Sequence, residues 1–122
     1  MWKRYLIGAV VLAVMFGGSF AAQDAGRVDF GRDVLPIFRQ QCYGCHGPTQ
    51  QMNGFRLDRR RDAMRGGTAS PGVIRPGNSE ASLLFFRIAT RLAGPQMPPT
   101  GALKPEQIGI IKAWLEPKFM NL

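Results

Sequence analysis

Two cysteines and the only histidine of this 122-residue chain fall within five residues, in the order Cys42-Tyr43-Gly44-Cys45-His46. Cysteines three apart project to the same side of a helical turn, so both thiols can reach the two vinyl groups on one edge of a haem and form thioethers. The histidine that follows can then give an imidazole nitrogen to the iron. The pentapeptide therefore predicts one covalently bound haem c, with Cys42 and Cys45 as anchors and His46 as the proximal ligand.

Other uses of these residues fit less well. A thioredoxin-like redox pair lies between a strand and a helix, and no strand pattern precedes Cys42. A structural zinc site needs four ligands, and the chain has two cysteines and one histidine. A structural disulfide stays possible in an exported protein, but it would leave the adjacent histidine without a role. With a single histidine, any Ser-His or Cys-His mechanism would depend on His46 alone.

The chain has no second histidine, so the sixth iron position can be filled by a methionine, a lysine, a tyrosine, water or nothing. The methionines after the N-terminal segment differ in how well they are placed for it. Met52 is only six residues past His46, Met64 stands in an arginine-rich run, and Met120 is close to the C-terminus. Met97 lies in a loop stiffened by prolines, just before the last predicted helix. We therefore expect Met97 to be the distal ligand.

A His/Met pair fills both axial positions and raises the reduction potential, which favours single-electron transfer over catalysis. No catalytic residue is predicted. One alternative is a haem-based module that binds or senses a small ligand through a labile sixth position. Another is a small peroxidase, which would need an open iron and a distal acid-base residue.

Helical patterns surround the motif, and no alternating strand pattern occurs. Apolar residues recur at helical spacing from Asp29 to Cys42, with Pro36 expected in the first turn of the regular helix. A second helix is predicted over Ser79 to Arg91, capped by Asn78 or Ser79, and a third from Pro105 until Pro117. Gly and Pro pairs predict turns between them. The expected fold is all-α, with long loops between the helices.

The N-terminus has the pattern of a secretory signal. Lys3 and Arg4 precede an apolar run from Leu6 to Phe16, and Ser19-Phe20-Ala21 supplies small residues for cleavage. We predict a signal peptide over 1–21, with an uncleaved membrane anchor as the alternative, then a polar leader over 22–28 and a cytochrome c domain over 29–122. Export, to the periplasm in particular, agrees with covalent haem attachment, which takes place beyond the cytoplasmic membrane.

The chain is basic, with 16 Lys and Arg against 8 Asp and Glu and a formal net charge of +8. The run Arg59-Arg60-Arg61, with Arg56 and Arg65 nearby, is its clearest charge cluster. A solvated loop is the simplest interpretation. The alternatives are a docking face for an acidic redox partner and a counter-charge for the haem propionates. An export signal speaks against nucleic acid as the partner.

Taken in order, several segments resemble the class I c-type cytochromes and, more narrowly, the planctomycete-type cytochrome c domain. They are Asp29 to Ile37, Cys42 to Pro48, Phe55 to Asp58, Arg75 to Ser79, Met97 to Pro99 and Leu103 to Ile108. The resemblance covers Asp29 to Leu115 and implies the same haem anchors, Cys42 and Cys45, and the same axial ligands, His46 and Met97. It implies, in addition, that the N- and C-terminal helices pack around one haem and cross closely, with Gly31 allowing their approach. Lys104 departs from the pattern, because a Ser or Thr cap is usual before the Pro-Glu-Gln sequence.

Overall fold

The computed structural model describes residues 26–116, and within them it is helical, with no strand. Extended pairing there is limited to isolated bridges between His46 and Gln51 and between Gly66 and Pro71. Four α-helices follow one another in this described part of the chain: α1 (Leu35–Gln41), α2 (Arg60–Arg65), α3 (Leu83–Ala89) and α4 (Pro105–Leu115). A π-helical turn, Phe30–Val34, precedes α1, and 3-10 turns occupy Met52–Gly54 and Ser79–Ala81. The all-α prediction is confirmed.

The first helical segment starts at a reciprocal cap. The Asp29 carboxylate accepts a hydrogen bond from the Arg32 backbone N–H at 2.7 Å, and the Asp33 carboxylate accepts one from the Asp29 N–H at 2.8 Å. These bonds satisfy two donors that no helical carbonyl can reach. Pro36 lies in the first turn of α1, as predicted, and α1 ends at Gln41. The Cys42-Tyr43-Gly44-Cys45-His46 motif therefore begins directly after the end of a short helix.

An aromatic contact joins the first segment to α4. Trp114, which is 1% exposed, lies 5.5 Å from the Phe30 ring and 5.8 Å, edge-on, from the Phe38 ring between centroids. The predicted association of the first and last helices is thus present, but Gly31 does not create it. Gly31 is exposed, and a Cβ there would meet only the Asp29 carboxylate at 3.4 Å. Large rings, rather than a missing side chain, bring the elements together.

The helix predicted over Ser79 to Arg91 is broken at Ser82. Asn78 caps the 3-10 turn, as expected, by accepting from the Ala81 N–H at 2.9 Å. The fully buried Ser82 hydroxyl then donates to the Asn78 carbonyl at 2.8 Å and accepts from the Arg75 N–H at 2.9 Å. Ser82 has extended backbone angles, because its side chain provides bonds that compete with a continuous helix. The regular helix α3 starts only after it and ends at Ala89.

A further difference concerns the arginine run, which the sequence suggested to be a loop. Arg60 and Arg61 lie in α2, which buries Ala63 and ends at Gly66, where φ is +84°. Arg56 pairs with Asp58, and Arg65 pairs with Asp62 at 3.0 Å. The cluster is therefore held on a short helix with paired arginines at both sides.

Helix α4 starts at Pro105, as predicted, and Lys104 does not disturb it. The Gln107 side chain accepts a hydrogen bond from the Lys104 N–H at 3.0 Å, which replaces part of the usual cap. The buried Ser79 hydroxyl bonds the Glu116 carboxylate just after α4, and Lys112 pairs with Glu80 at 2.9 Å. These contacts attach the 3-10 turn before α3 to the last helix.

The predicted signal peptide over 1–21 lies outside the described residues, as does most of the leader. Within residues 26–116, no helix is both long and apolar enough to cross a membrane.

Candidate functional site

The two cysteines and the histidine lie on a tight turn that continues from α1. The N–H groups of Cys42 and Tyr43 both donate to the Phe38 carbonyl at 2.9 Å. Those of Cys45 and His46 then donate to the Cys42 carbonyl, at 3.2 and 2.8 Å. Both cysteines are half-buried free thiols. The spacing read from the sequence thus corresponds to a compact, hydrogen-bonded turn.

The His46 ring is oriented by a backbone carbonyl from the next segment. Its Nδ1 lies 3.3 Å from the Phe55 oxygen, and its ring packs against the Phe55 ring at 5.2 Å between centroids. Since a carbonyl oxygen can only accept, this contact puts the hydrogen on Nδ1 and leaves the Nε2 lone pair for a metal. The Leu57 N–H also donates to the His46 carbonyl at 2.8 Å. His46 is therefore oriented so that Nε2 can serve as a nitrogen ligand.

Gly47, directly after the histidine, is required by the tightness of the turn. It is buried, and a Cβ at this position would collide with the Tyr43 carbonyl oxygen. Its own N–H donates to the Gln50 carbonyl at 2.8 Å, and its carbonyl accepts from the Gln51 side chain at 2.9 Å. The backbone after the motif is thus fixed on both sides of the glycine.

The electrostatic surroundings do not suit a reactive redox thiolate. Burial raises the pKa of the Cys42 thiol to about 12, and the neighbouring Cys45 adds to the increase. Both cysteines follow the C-terminal end of α1, where the helix dipole disfavours negative charge. Nucleophilic cysteines of redox Cys-x-x-Cys motifs have lowered pKa values and lie at helix N-termini. These surroundings of Cys42 therefore speak against thiol–disulfide exchange as the role of the motif.

Met97 lies on a loop that α3 holds in place at two points. The Met97 N–H donates to the Arg87 carbonyl at 2.7 Å, and the Arg87 guanidinium donates to the Pro95 carbonyl at 3.1 Å. Gly94, with φ of +109°, allows the chain to pass close to that guanidinium. Met97 itself is half-buried and packs against the core. Arg87 is a residue that the sequence did not single out, because its role depends on backbone carbonyls.

The other methionines have different surroundings. Met52 is 48% exposed, and Met64 is half-buried on α2. Met120 lies outside the described residues. Among the methionines that the structure describes, Met97 is thus the one that lies on a loop held by hydrogen bonds to α3.

The donor set fits a haem c rather than a bare metal ion. Two free thiols three residues apart, an imidazole with its Nδ1 hydrogen bonded away, and a thioether on an anchored loop are the groups that such a haem requires. Among residues 26–116, no group of three or more His, Cys, Asp and Glu side chains is arranged to hold a metal ion. A small all-α fold with this motif defines the class of c-type cytochromes.

Residues 42–101 match the family model described as planctomycete cytochrome C. This match supports a planctomycete-type cytochrome c domain in this part of the chain, and domains of that family are haem c domains. The matched range begins at Cys42, the first cysteine of the motif, and includes the Met97 loop, whereas α1 and α4 lie outside it. No curated protein matches the chain, and no solved structure matches it.

Proposed function

We propose that this protein is an exported monohaem c-type cytochrome that carries single electrons between redox partners. The observation that supports this most directly is the His46–Phe55 contact within the matched domain, because it prepares one nitrogen of the only histidine as an axial ligand. In this proposal, Cys42 and Cys45 form the two thioethers, His46 is the proximal ligand and Met97 the distal ligand.

The chain's own residues would serve electron transfer by holding the iron ligands still. The bound haem supplies an iron that changes between ferric and ferrous states. The Phe55 carbonyl keeps His46 in one tautomer, and the Arg87 contacts hold the Met97 loop, so little needs to move when the charge on the iron changes. Cys42 and Met97 pack against the apolar core, which limits the access of water to them. No side chain is assigned an acid-base role.

Covalent haem attachment is the first point to test. The chain, produced with its N-terminal segment in a cell that attaches haem c, should give a pyridine haemochrome spectrum with one haem per chain. Cys42→Ala and Cys45→Ala should each leave a single thioether, which shifts that spectrum. Protein that is exported and folded but lacks covalent haem would refute the proposal.

The distal ligand is tested by Met97→Ala. We expect this variant to lose the weak sulfur-to-iron absorption band of the ferric protein and to lower the reduction potential. Met52→Ala is the matched control, because Met52 is an exposed methionine on a different segment, and it should keep both properties. Retention of the band in Met97→Ala would assign the ligand to another residue.

Carbon monoxide distinguishes the carrier from a ligand-sensing module. A stable His/Met pair leaves no open position, so the reduced wild-type protein should bind carbon monoxide weakly and Met97→Ala should bind it readily. Ready binding by the wild type would favour the sensing function. Location is tested by fractionation: a periplasmic form shortened by about 21 residues at a small-residue cleavage site supports a signal peptide, and a full-length membrane form supports an anchor.

A further inference from the structure

A cleft of about 330 Å³ opens between the first helical segment, α2 and α4. None of the four proposed haem-binding residues, Cys42, Cys45, His46 and Met97, lines it. Its apolar walls are formed by side chains from all three elements and from the segments around α2: Phe30, Phe38, Leu57, Ala63, Ile74 and Trp114. The cleft is therefore a feature separate from the site of the proposed electron transfer.

Its size and walls suit a small ring compound. An apolar cavity of about 150 Å³ accepts benzene, and pockets for small molecules begin at about 300 Å³. Four aromatic rings line it, those of Phe30, Phe38, Tyr43 and Trp114, and aromatic rings favour stacked or edge-on contacts with another ring. One or two fused rings would fill this space.

The charged residues at the cleft favour an anion. Arg39 of α1 and Arg60 of α2 both line it, both are exposed, and neither is paired with a carboxylate among the described residues. The cleft has one acidic lining residue, Asp58, and the Arg56 guanidinium already neutralises it with a hydrogen bond of 2.8 Å. Two arginines on different helices are thus free to face one carboxylate.

We propose that this cleft binds a small aromatic carboxylate of one or two rings. The ring lies against the half-buried rings of Phe30 and Tyr43, and the carboxylate faces Arg39 and Arg60. This site does not depend on the proposed electron transfer, and the two can fail separately.

The test uses the reduced, haem-loaded protein and two probes, 1-naphthoate and its uncharged analogue 1-naphthamide. The indole N–H of Trp114 is buried with no oxygen or nitrogen partner among the described residues, so its NMR resonance reports directly on the wall of the cleft. We expect saturable, one-site shifts of this resonance with 1-naphthoate. Naphthamide should bind roughly five- to twenty-fold more weakly, since each exposed charge contributes a factor of about two to five.

Arginine variants identify the carboxylate contact. The double variant Arg39→Gln/Arg60→Gln should lose the preference for naphthoate. It should bind naphthoate and naphthamide with equal affinity, and this affinity should be lower than that of the wild type for naphthoate. Arg61→Gln is the matched control, because Arg61 is the neighbour of Arg60 on α2 and does not line the cleft. It should keep the preference for naphthoate. These side chains are exposed, so their replacement should leave folding intact.

Three results would overturn the proposal. The first is the absence of a saturable shift of the Trp114 resonance at millimolar naphthoate. The second is an unchanged naphthoate preference in the double variant. The third is a change in the haem absorption spectrum that follows the naphthoate titration, because this would locate the probe at the haem.

Discussion

At the scale of single residues, the motif depends on two backbone contacts. His46 is oriented by the carbonyl of Phe55, nine residues further along the chain, and the turn that carries it closes on Gly47. The identities of the thiols and of the imidazole are local information that spacing reveals. A carbonyl can come from any residue, so its contribution becomes visible only in three dimensions.

Gly47 gives a sharp prediction at this scale. Gly47→Ala places a methyl group against the Tyr43 carbonyl, so we expect a loss of about 1–3 kcal/mol in the free energy of unfolding. The yield of covalent haem should also fall, because the distorted turn would displace His46. Gly44→Ala is the control within the same motif: Gly44 is exposed, and no atom lies within 4 Å of the place that the added methyl group would take. Thermal unfolding and haem content measure both effects, and equal stability of the two variants would contradict the argument.

At the scale of elements, the reciprocal cap before α1 couples a helix start to pH. The Arg32 side chain, with help from the Asp29 N–H, lowers the pKa of Asp33 to about 2, from 3.8. Because the pKa is lower in the folded protein than in the unfolded chain, the charged carboxylate stabilises the fold above about pH 4. That stabilisation is lost as the pH falls towards 2.

Asp33→Asn tests this coupling. We expect the variant to lose about 1 kcal/mol of stability at pH 7, a value reduced by solvent screening of a surface pair, and to equal the wild type near pH 2. Urea unfolding of the haem-loaded protein at several pH values measures the difference. Glu106→Gln, an exposed change of the same charge in the first turn of α4, should show a smaller difference. A loss in Asp33→Asn that is independent of pH would refute the electrostatic explanation.

The helices differ in how far the sequence predicts them. Pro36 and Pro105 mark first turns, and their positions were predicted correctly because proline acts through its own ring and missing N–H. The break in the helix at Ser82 was not predicted. It occurs because the Arg75 N–H and the Asn78 carbonyl are close enough to form hydrogen bonds with the Ser82 hydroxyl. Helix α2 was missed because its arginines suggest a solvated loop, and only the burial of Ala63 reveals its inner face.

At the scale of the whole molecule, the excess of positive charge is unevenly distributed. The formal net charge of the chain is +8. Arg59, Arg60 and Arg61 are exposed at the start of α2, and none of them pairs with a carboxylate in the part of the chain that the structure describes. Such a cluster attracts anionic partners at long range and increases their rate of encounter at low salt. We therefore propose that the surface formed by these three arginines is where an acidic redox partner docks.

The rate of electron transfer to a small anion distinguishes the effect of the arginine cluster from the effect of the net charge of the whole protein. We expect Arg59→Gln/Arg61→Gln to slow the oxidation of the reduced protein by hexacyanoferrate(III) roughly two- to five-fold at low ionic strength. The difference should vanish near 1 M salt, where the Debye length is about 3 Å. The control is Arg91→Gln/Lys104→Gln, which removes the same charge from exposed residues of another segment and should slow the reaction less. If both double variants slow it equally, the net charge alone sets the rate, and the arginine cluster is not a docking surface.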